Sequence, residues 1–390
     1  MSQKYRVMMI CHYDDTNASG GLEAQARLLS RTLRSTGENV IVLGSTRRLS
    51  RARWSDDHGV PVRLFWTYAS PQVSGRYLPA SIIWAAQLLV WIALNRSKIE
   101  VLHCHQIRIH AFVSAIAGWL FGIPSIVKSA TGGEGADILT IGSRKYFGPA
   151  GRRFVTRHTD VFVATTDSIR TDLLQAEVPE ERIRIIPNGL PLPRDTQAKP
   201  DLARHGRCLF LGRLAADKNV PAMTRAALTT APTTGLTLDI YGRGQDAQEV
   251  ADLIAAQPDR GVRYMGHVDN TIQILETYGW LLLPSKAEGL SNAMLEAMAQ
   301  GVVPVATRVS GCVDHIFPGE TGFFLEGVDQ ASIEDGLRLI SKVTPEAWAE
   351  MSGRARSYAR ARFDIKVVTA NYQDLYRSLA NDASARSAHA

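Results

Sequence analysis

The chain reads as an α/β protein of two parallel-sheet domains, and three observations carry that reading. Its 390 residues are enough for two domains, each with its own core. Near the start, an apolar run from Arg6 to Cys11 is followed by Gly20-Gly21 and a helix pattern to Thr36. Val40 to Leu43 comes next, giving a Rossmann-like strand, glycine turn, helix and strand. The same order recurs between Trp280 and Ala306. There Trp280-Leu-Leu-Leu283 stops at Pro284, Ser291 or Asn292 can cap a helix over Ala293 to Gln300, and Gly301 fits a left-handed stop. Val302 to Ala306 is the strand that follows.

Composition is that of an ordinary globular protein, 45% hydrophobic and 21% charged. The net charge of +6 is unevenly spread. Through Pro200 there are 25 Lys and Arg against 16 Asp and Glu; the remainder has 19 against 22. A basic first half fits anionic partners, either lipid headgroups or phosphate-bearing substrates. No recognisable nucleic-acid module accompanies that charge, so no nucleic acid is expected. Cys11, Cys104, Cys208 and Cys312 are scattered and form no C-x-x-C, which fits a reducing compartment. Met1 to Arg6 leads straight into a strand with no apolar leader, so a cytoplasmic protein is expected.

Ala80 to Leu94 is apolar but shorter than a spanning helix needs, and reads as either a core helix or an interfacial one. Ala111 to Val127 is broken at Gly122-Ile-Pro124 into a buried helix, a turn and a strand. Arg47 to Trp54 reads as a basic loop. Val101 to His105 is a strand on which His103 and His105 share a face. Ser125 to Lys128 is another strand, followed by small residues and Gly132-Gly133-Glu134-Gly135. Arg144, Lys145, Arg152, Arg153 and Arg157 sit on a helix before the strand Val161 to Ala164. After Arg182 to Ile186 and the turn Pro187-Asn-Gly189, a linker runs from Pro191 to Arg204. Cys208 to Leu211 opens the second domain, with Arg213 and Lys218 flanking a tight turn at the strand's carboxyl end, where open α/β sheets bind ligands. A solvated basic loop is the alternative there. Leu236 to Tyr241 with Gly242-x-Gly244, and Tyr264 to Val268, are further strand ends.

The stretch from Pro284 to Val309 has the most chemical content. A glycine-containing loop faces a helix N-terminus, whose unpaired N–H groups suit a diphosphate. Glu288 and Glu296 frame it; carboxylates there repel phosphate, so their use is to accept hydrogen bonds from hydroxyls, or simply to complement the helix dipole.

Glu288-x7-Glu296 within Pro-Ser-x-x-Glu-Gly…Leu-Glu-Ala-Met-Ala-x-Gly-x-x-Pro-Val resembles the signature of retaining glycosyltransferases of family 4, with the GT-B fold. The likeness is strong from Gly206 to Gly322 and patchy, but in order, before Asn188. It implies two Rossmann-like domains facing each other across a cleft: an acceptor-side domain over 1–190 and a nucleotide-sugar domain over 191–362. A helix over 363–380, carrying Tyr372 and Tyr376, would return to the first domain, and 381–390 would be a frayed tail.

By position, the resemblance assigns Glu288 to donor-sugar hydroxyls, Glu296 to the ribose, and Arg213 and Lys218 to the diphosphate. It places His105 near the reacting sugar with His103 behind it. It adds Gly20 and Gly21 beside the phosphates, Gly266 near the base, and Gly289, Leu290, Ser291 and Asn292 in the donor loop. Many relatives of that family have a histidine just after the strand Ser125 to Lys128, whereas this chain has Lys128 and small residues there.

The implied reaction moves a hexose-type sugar from a nucleotide-diphosphate sugar, a co-substrate rather than a cofactor, to an acceptor hydroxyl with retention. The acceptor would be a glycan or polyprenyl-linked precursor. No Asp-x-Asp occurs, so no metal is expected. A sugar-nucleotide epimerase of the same fold and a silent partner subunit are the alternatives. The basic first half, with Trp84 and Trp91 seven positions apart on one helix face, fits docking on an anionic membrane surface.

Overall fold

A computed structural model describes residues 5–9, 21–69, 77–129, 131–132, 136–142, 148–192, 201–268 and 270–388. Cys11, Gly20, Gly133 to Gly135, Arg144, Lys145 and the middle of the expected linker lie outside the described residues. The chain divides into two compact units, Met1–Pro191 with Ile365–Ala390, and Leu192–Asp364.

The N-terminal unit is built on an eight-stranded sheet. Its elements in order are β1 (Tyr5–Met9), α1 (Gly21–Ser35), β2 (Val40–Thr46), β3 (Trp54–Asp57), β4 (Val60–Trp66) and α2 (Leu78–Asn95). There follow β5 (Ile99–His105), α3 (Ile109–Phe121), β6 (Ser125–Lys128), α4 (Asp137–Gly142), α5 (Gly148–His158), β7 (Val161–Ala164), α6 (Asp167–Gln175) and β8 (Ile183–Ile185). The sheet order is β3-β4-β2-β1-β5-β6-β7-β8, parallel except for β3. The order reverses between β1 and β5, and there the crevice at the carboxyl ends of a doubly wound sheet is found.

Both faces of this sheet are covered over its inner strands, which is why those strands are mostly apolar. Val7 and Met9 face α2, α3, α5 and α6, while Met8 faces α1 and the C-terminal helix. The segment Arg47 to Trp54, expected as loop, contains a 3-10 turn over Leu49–Arg51 and leads into β3. β3 is polar and mostly exposed; it exists because its backbone pairs antiparallel with β4, Ser55 opposite Val62.

The two tryptophans of α2 do not share an exposed face. Trp84 is fully buried and donates Nε1–H to the Gly44 carbonyl at 3.2 Å, whereas Trp91 is half-buried against Trp54. What α2 exposes is a stripe of Ile82, Ile83, Val90 and Leu94. It is the one described helix with the length and hydropathy of a membrane span, 28% buried.

The C-terminal unit comprises β9 (Arg207–Leu211), α7 (Val220–Thr234), β10 (Thr237–Tyr241), α8 (Ala247–Ala255), β11 (Val262–Gly266), α9 (Thr271–Leu275) and β12 (Trp280–Leu283). It continues with α10 (Asn292–Ala299), β13 (Val303–Thr307), β14 (Phe323–Leu325), α11 (Gln330–Ser341) and α12 (Pro345–Phe363). Its sheet, β11-β10-β9-β12-β13-β14, is wholly parallel and has the third-second-first-fourth-fifth-sixth order of a Rossmann sheet, reversing between β9 and β12. One face packs on α7, α11 and α12 through Met223, Leu337 and Trp348. After α10, Gly301 has φ +73°, the left-handed stop its sequence position calls for.

The last helix, α13 (Ile365–Ala388), lies against the N-terminal sheet, with Val368, Tyr372, Leu375, Tyr376 and Leu379 in its core. Phe363, expected as the first residue of this helix, instead ends α12 and packs against His315. The helix also continues past 381, where a frayed tail was expected. Alanines at 380, 383, 385 and 388 extend a helix already anchored by packing at little cost.

Candidate active site

The reversal point of the C-terminal sheet gathers most of the residues singled out in the sequence. The Gly212 N–H bonds the Tyr241 carbonyl, and the Gly242 N–H bonds the Gly266 carbonyl, so the turns after β9, β10 and β11 are stitched together. A Cβ on Gly242 would lie 1.8 Å from the Gly212 carbonyl oxygen, so only glycine allows this approach. Gly266 closes β11.

Beyond Gly212 the chain turns through Arg213 to Lys218. Lys218 Nζ donates to Glu288 Oε1 at 2.6 Å, and both side chains are largely buried. Ser285 Oγ donates to the same oxygen at 2.9 Å. Gly289 and Leu290 carry the loop on to α10, and Gly311, with φ +79°, packs its Cα against the Gly289 carbonyl, where a Cβ would stand at 2.1 Å. Ser291 is the N-cap of α10, its hydroxyl accepting from the Met294 N–H, and Asn292 is the first helical residue. Glu296, one turn on, accepts from Thr271 Oγ1 at 2.9 Å. Burial pushes the Glu296 carboxyl up, and the threonine bond partly opposes that.

Arg213 stands apart from this cluster. Its side chain is 74% exposed and turned to Asp217, 3.5 Å away. Asp217 also lies 3.7 Å from Lys218, so the two cations share one surface carboxylate. Ser285 and Thr271 fix the two glutamates; in the sequence Ser285 enters only as part of the signature, with no role, and Thr271 is not singled out. Ser285 stands three residues before Glu288 and is readable in principle; Thr271 is on another helix and leaves no local signal.

The N-terminal unit places His105 at the end of β5 and Lys128 at the end of β6, opposite each other in register. Gly21 is the first residue of α1. The His103 and His105 rings are 4.4 Å apart, and His103 Nδ1 shares a 2.8 Å hydrogen bond with the Tyr376 hydroxyl. Burial, with Lys128 nearby, lowers His103 to about 3. Burial, then His103 and Lys128, lower His105 well below its ordinary value, so both rings are neutral. Among the described residues neither ring nitrogen of His105 has a hydrogen-bond partner. Lys128 Nζ donates to Asn188 Oδ1 at 2.9 Å, and burial lowers its ammonium to about 8. Among the described residues, no three His, Cys, Asp or Glu side chains are grouped to hold a metal ion.

Residues 20–189 match the glycosyl transferase 4-like domain, and residues 205–342 match glycosyl transferases group 1. The chain is 25% identical over 297 residues to N-acetyl-alpha-D-glucosaminyl L-malate synthase of Bacillus anthracis, covering 74% of this chain and 77% of that one. It is 27% identical over 357 residues to D-inositol 3-phosphate glycosyltransferase of Pseudarthrobacter chlorophenolicus, covering 83% and 82%. The structure of Anabaena HepE in complex with UDP superposes with a TM-score of 0.74 over 96% of this chain and all of that one, at 15% identity. With two Rossmann-like sheets, a Lys–Glu pair at the reversal point of the second, and both of its domains matched, the chain belongs to the family 4 glycosyltransferases of the GT-B fold.

Proposed function

We propose that the protein transfers a hexose-type sugar from a nucleoside-diphosphate sugar to an acceptor hydroxyl with retention at the anomeric carbon. The observation that carries this is the Lys218–Glu288 pair beside the capped start of α10, with Glu296 one turn further on. In the reaction the anomeric carbon–oxygen bond to the diphosphate breaks and the acceptor oxygen bonds to the same face. The acceptor proton passes to the departing phosphate oxygen. The burden is negative charge on that leaving group. An ammonium has three N–H donors, so Lys218 can keep its bond to Glu288 and still donate to a phosphate. Arg213, on its exposed turn, swings from Asp217 to the diphosphate, and the N–H groups opening α10 add a third source of positive potential. The free oxygen of Glu288 accepts from sugar hydroxyls and Glu296 from the ribose. These cationic groups take the role that a bridging metal has in other designs, so the reaction is proposed to run in the presence of a chelator.

HepE has been solved with UDP and with UDP-glucose, which makes UDP-glucose the first donor to test. Incubation with a panel of nucleotide sugars, with and without acceptor extract, is followed by nucleoside diphosphate release and by NMR of the new anomeric proton. Acceptor-dependent release with the donor's own anomeric configuration is expected. Interconversion of the donor without acceptor would mark an epimerase, and no turnover of any donor a silent subunit.

The exposed stripe of α2 favours a place of work as well. Ile82, Ile83, Val90 and Leu94 face solvent, and Trp91 of the same helix touches Trp54, which follows Arg47, Arg48, Arg51 and Arg53. Apolar side chains beside a cluster of arginines match the headgroup zone of an anionic leaflet, and each nearby cation adds roughly 1 kcal/mol. We infer that the N-terminal unit docks there and meets a lipid-linked acceptor. Sedimentation with anionic but not neutral vesicles, lost in high salt and in Ile83→Asp/Val90→Asp, is expected; binding indifferent to lipid charge would refute it.

A further inference from the structure

We propose that Lys128 is the recognition point for a negatively charged group of the acceptor, so that the acceptor carries a carboxylate or a phosphate near its reacting hydroxyl. This rests on the transferase reading above and extends it to the acceptor's chemical class.

Lys128 is 2% exposed at the end of β6, next to the sheet's reversal point. A lysine buried to that degree normally has a carboxylate partner, because an unpaired ammonium out of water is costly. Among the described residues its one hydrogen bond is to the neutral amide oxygen of Asn188, and no described Asp or Glu comes within ion-pair distance. The carboxylate tied to the neighbouring turn, Asp137, accepts from Thr131 Oγ1 at 2.8 Å and from Gln106 Nε2 at 3.2 Å instead. One bond leaves N–H donors of the ammonium for another acceptor.

Two neighbours point the same way. His105, opposite Lys128 in register, has a 2% exposed ring and no partner for either nitrogen. An imidazole with no partner in register with an ammonium that has an amide but no carboxylate leaves donors on both for a group that arrives from outside. Gln106, the next residue, has φ +82°, a region that side-chain-bearing residues rarely adopt, and its N–H is held by the Lys128 carbonyl at 3.0 Å. An anion between Lys128 and the N–H of His105 would satisfy both. The ammonium is lowered only to about 8, so it is still largely cationic at neutral pH; among the described residues the titratable side chains facing it are His103 and His105.

A purely structural tether for the Pro187–Gly189 turn is the competing account, and stability measurements separate the two. Thermal unfolding of the full chain is followed with inorganic phosphate or malonate, against sodium chloride of equal ionic strength, in wild type, Lys128→Met, Lys128→Gln and Lys128→Arg. Only the shift lost in the methionine and glutamine variants counts, so phosphate bound near Lys218 cancels. One of the two anions should raise the wild-type Tm by a few degrees, naming phosphate or carboxylate. Lys128→Arg should keep that shift and retain it at pH 9, where wild type loses most of it. Unliganded Lys128→Met should melt no lower than wild type, because it removes an unpaired buried charge. A wild-type shift no larger than that in chloride, or one undiminished in Lys128→Met, overturns the proposal, as does a marked loss of Tm in that variant without ligand. UDP is added in a separate arm; failure of UDP to stabilise, or of any nucleotide sugar to turn over, counts against the transferase reading alone.

Discussion

At the carboxyl edge of the C-terminal sheet, Lys218 has Glu288 at 2.6 Å, and Ser285 shares that carboxylate. At the matching edge of the N-terminal sheet, Lys128 has an uncharged amide and two neutral histidines for neighbours. Both lysines stand at or beside a strand-order reversal, Lys128 buried and Lys218 largely so, yet among the described residues one has a counter-charge and the other does not. Pairing holds Lys218 and Glu288 in position before any ligand arrives, and removing one partner leaves the other charge stranded. An unpaired ammonium has the opposite signature: it weakens the fold until something anionic binds.

The contrast is broken most forcefully by exchanging each lysine for a neutral residue. Lys218→Ala should lower turnover roughly 10- to 150-fold, the worth of one charge-assisted bond to the diphosphate. It should also cost about 1–3 kcal/mol of stability by stranding Glu288. Adding Glu288→Gln should restore the stability but not the activity, as measured by denaturant unfolding and by release of nucleoside diphosphate. Equal stability of Lys218→Ala and wild type would show that the pair is incidental.

Next in size, the pH dependence of stability sharpens the comparison. Lys128 has about 8 in the fold against 10.5 free, so between those values the unfolded chain holds more protons. Its contribution makes stability rise with pH from about 8 to 10.5, and Lys128→Met should abolish that rise. His103, lowered to about 3 against 6.5, acts likewise at acid pH: stability is lost as pH falls below 6.5. Denaturant midpoints across both windows, with His103→Gln for the second, check the signs.

A smaller effect distinguishes the glutamates. Glu296→Gln should weaken binding of the bare nucleoside diphosphate several-fold, whereas Glu288→Gln should spare that binding and depress transfer. Titration calorimetry showing the reverse would exchange their roles. Smallest is Arg213→Ala, because its side chain is exposed and held only by Asp217. A loss of about tenfold or less in donor affinity, with unchanged stability, is expected, because a cation at this exposed turn stays partly solvated when it reaches the diphosphate; a loss as large as that of Lys218→Ala would mean that the bound donor removes Arg213 from water.

The C-terminal site was legible because its parts are contiguous. Pro284 to Val309 contains the strand end, the cap, the helix and both glutamates, so local rules for stops and caps placed β12, Ser291 and Gly301. Partners from elsewhere in the chain, such as Thr271 on Glu296, leave no such trace. The N-terminal site is assembled from three strand and loop ends, and that Lys128 meets Asn188 sixty residues on is set by topology alone. Trp84 and Trp91 show a different limit. Their spacing fixed the helix face they share, but a helix that is apolar all round offers no periodicity to say which face is buried. β3 escaped because Trp54–Asp57 carries no strand pattern and is held by pairing with β4.

The placement of α13 has a consequence for how the chain is made. Tyr372 and Tyr376 are fully buried against the N-terminal sheet, and Tyr376 is the partner of His103. All of Leu192–Asp364 is synthesised between that sheet and the helix that covers it. At roughly 5–20 residues per second, the part of that sheet face around Val101 of β5, which α1 does not cover, waits on the order of ten to thirty seconds for α13. The first unit to leave the ribosome is therefore the last to close, and a chain cut short before Ile365 leaves that face open for good.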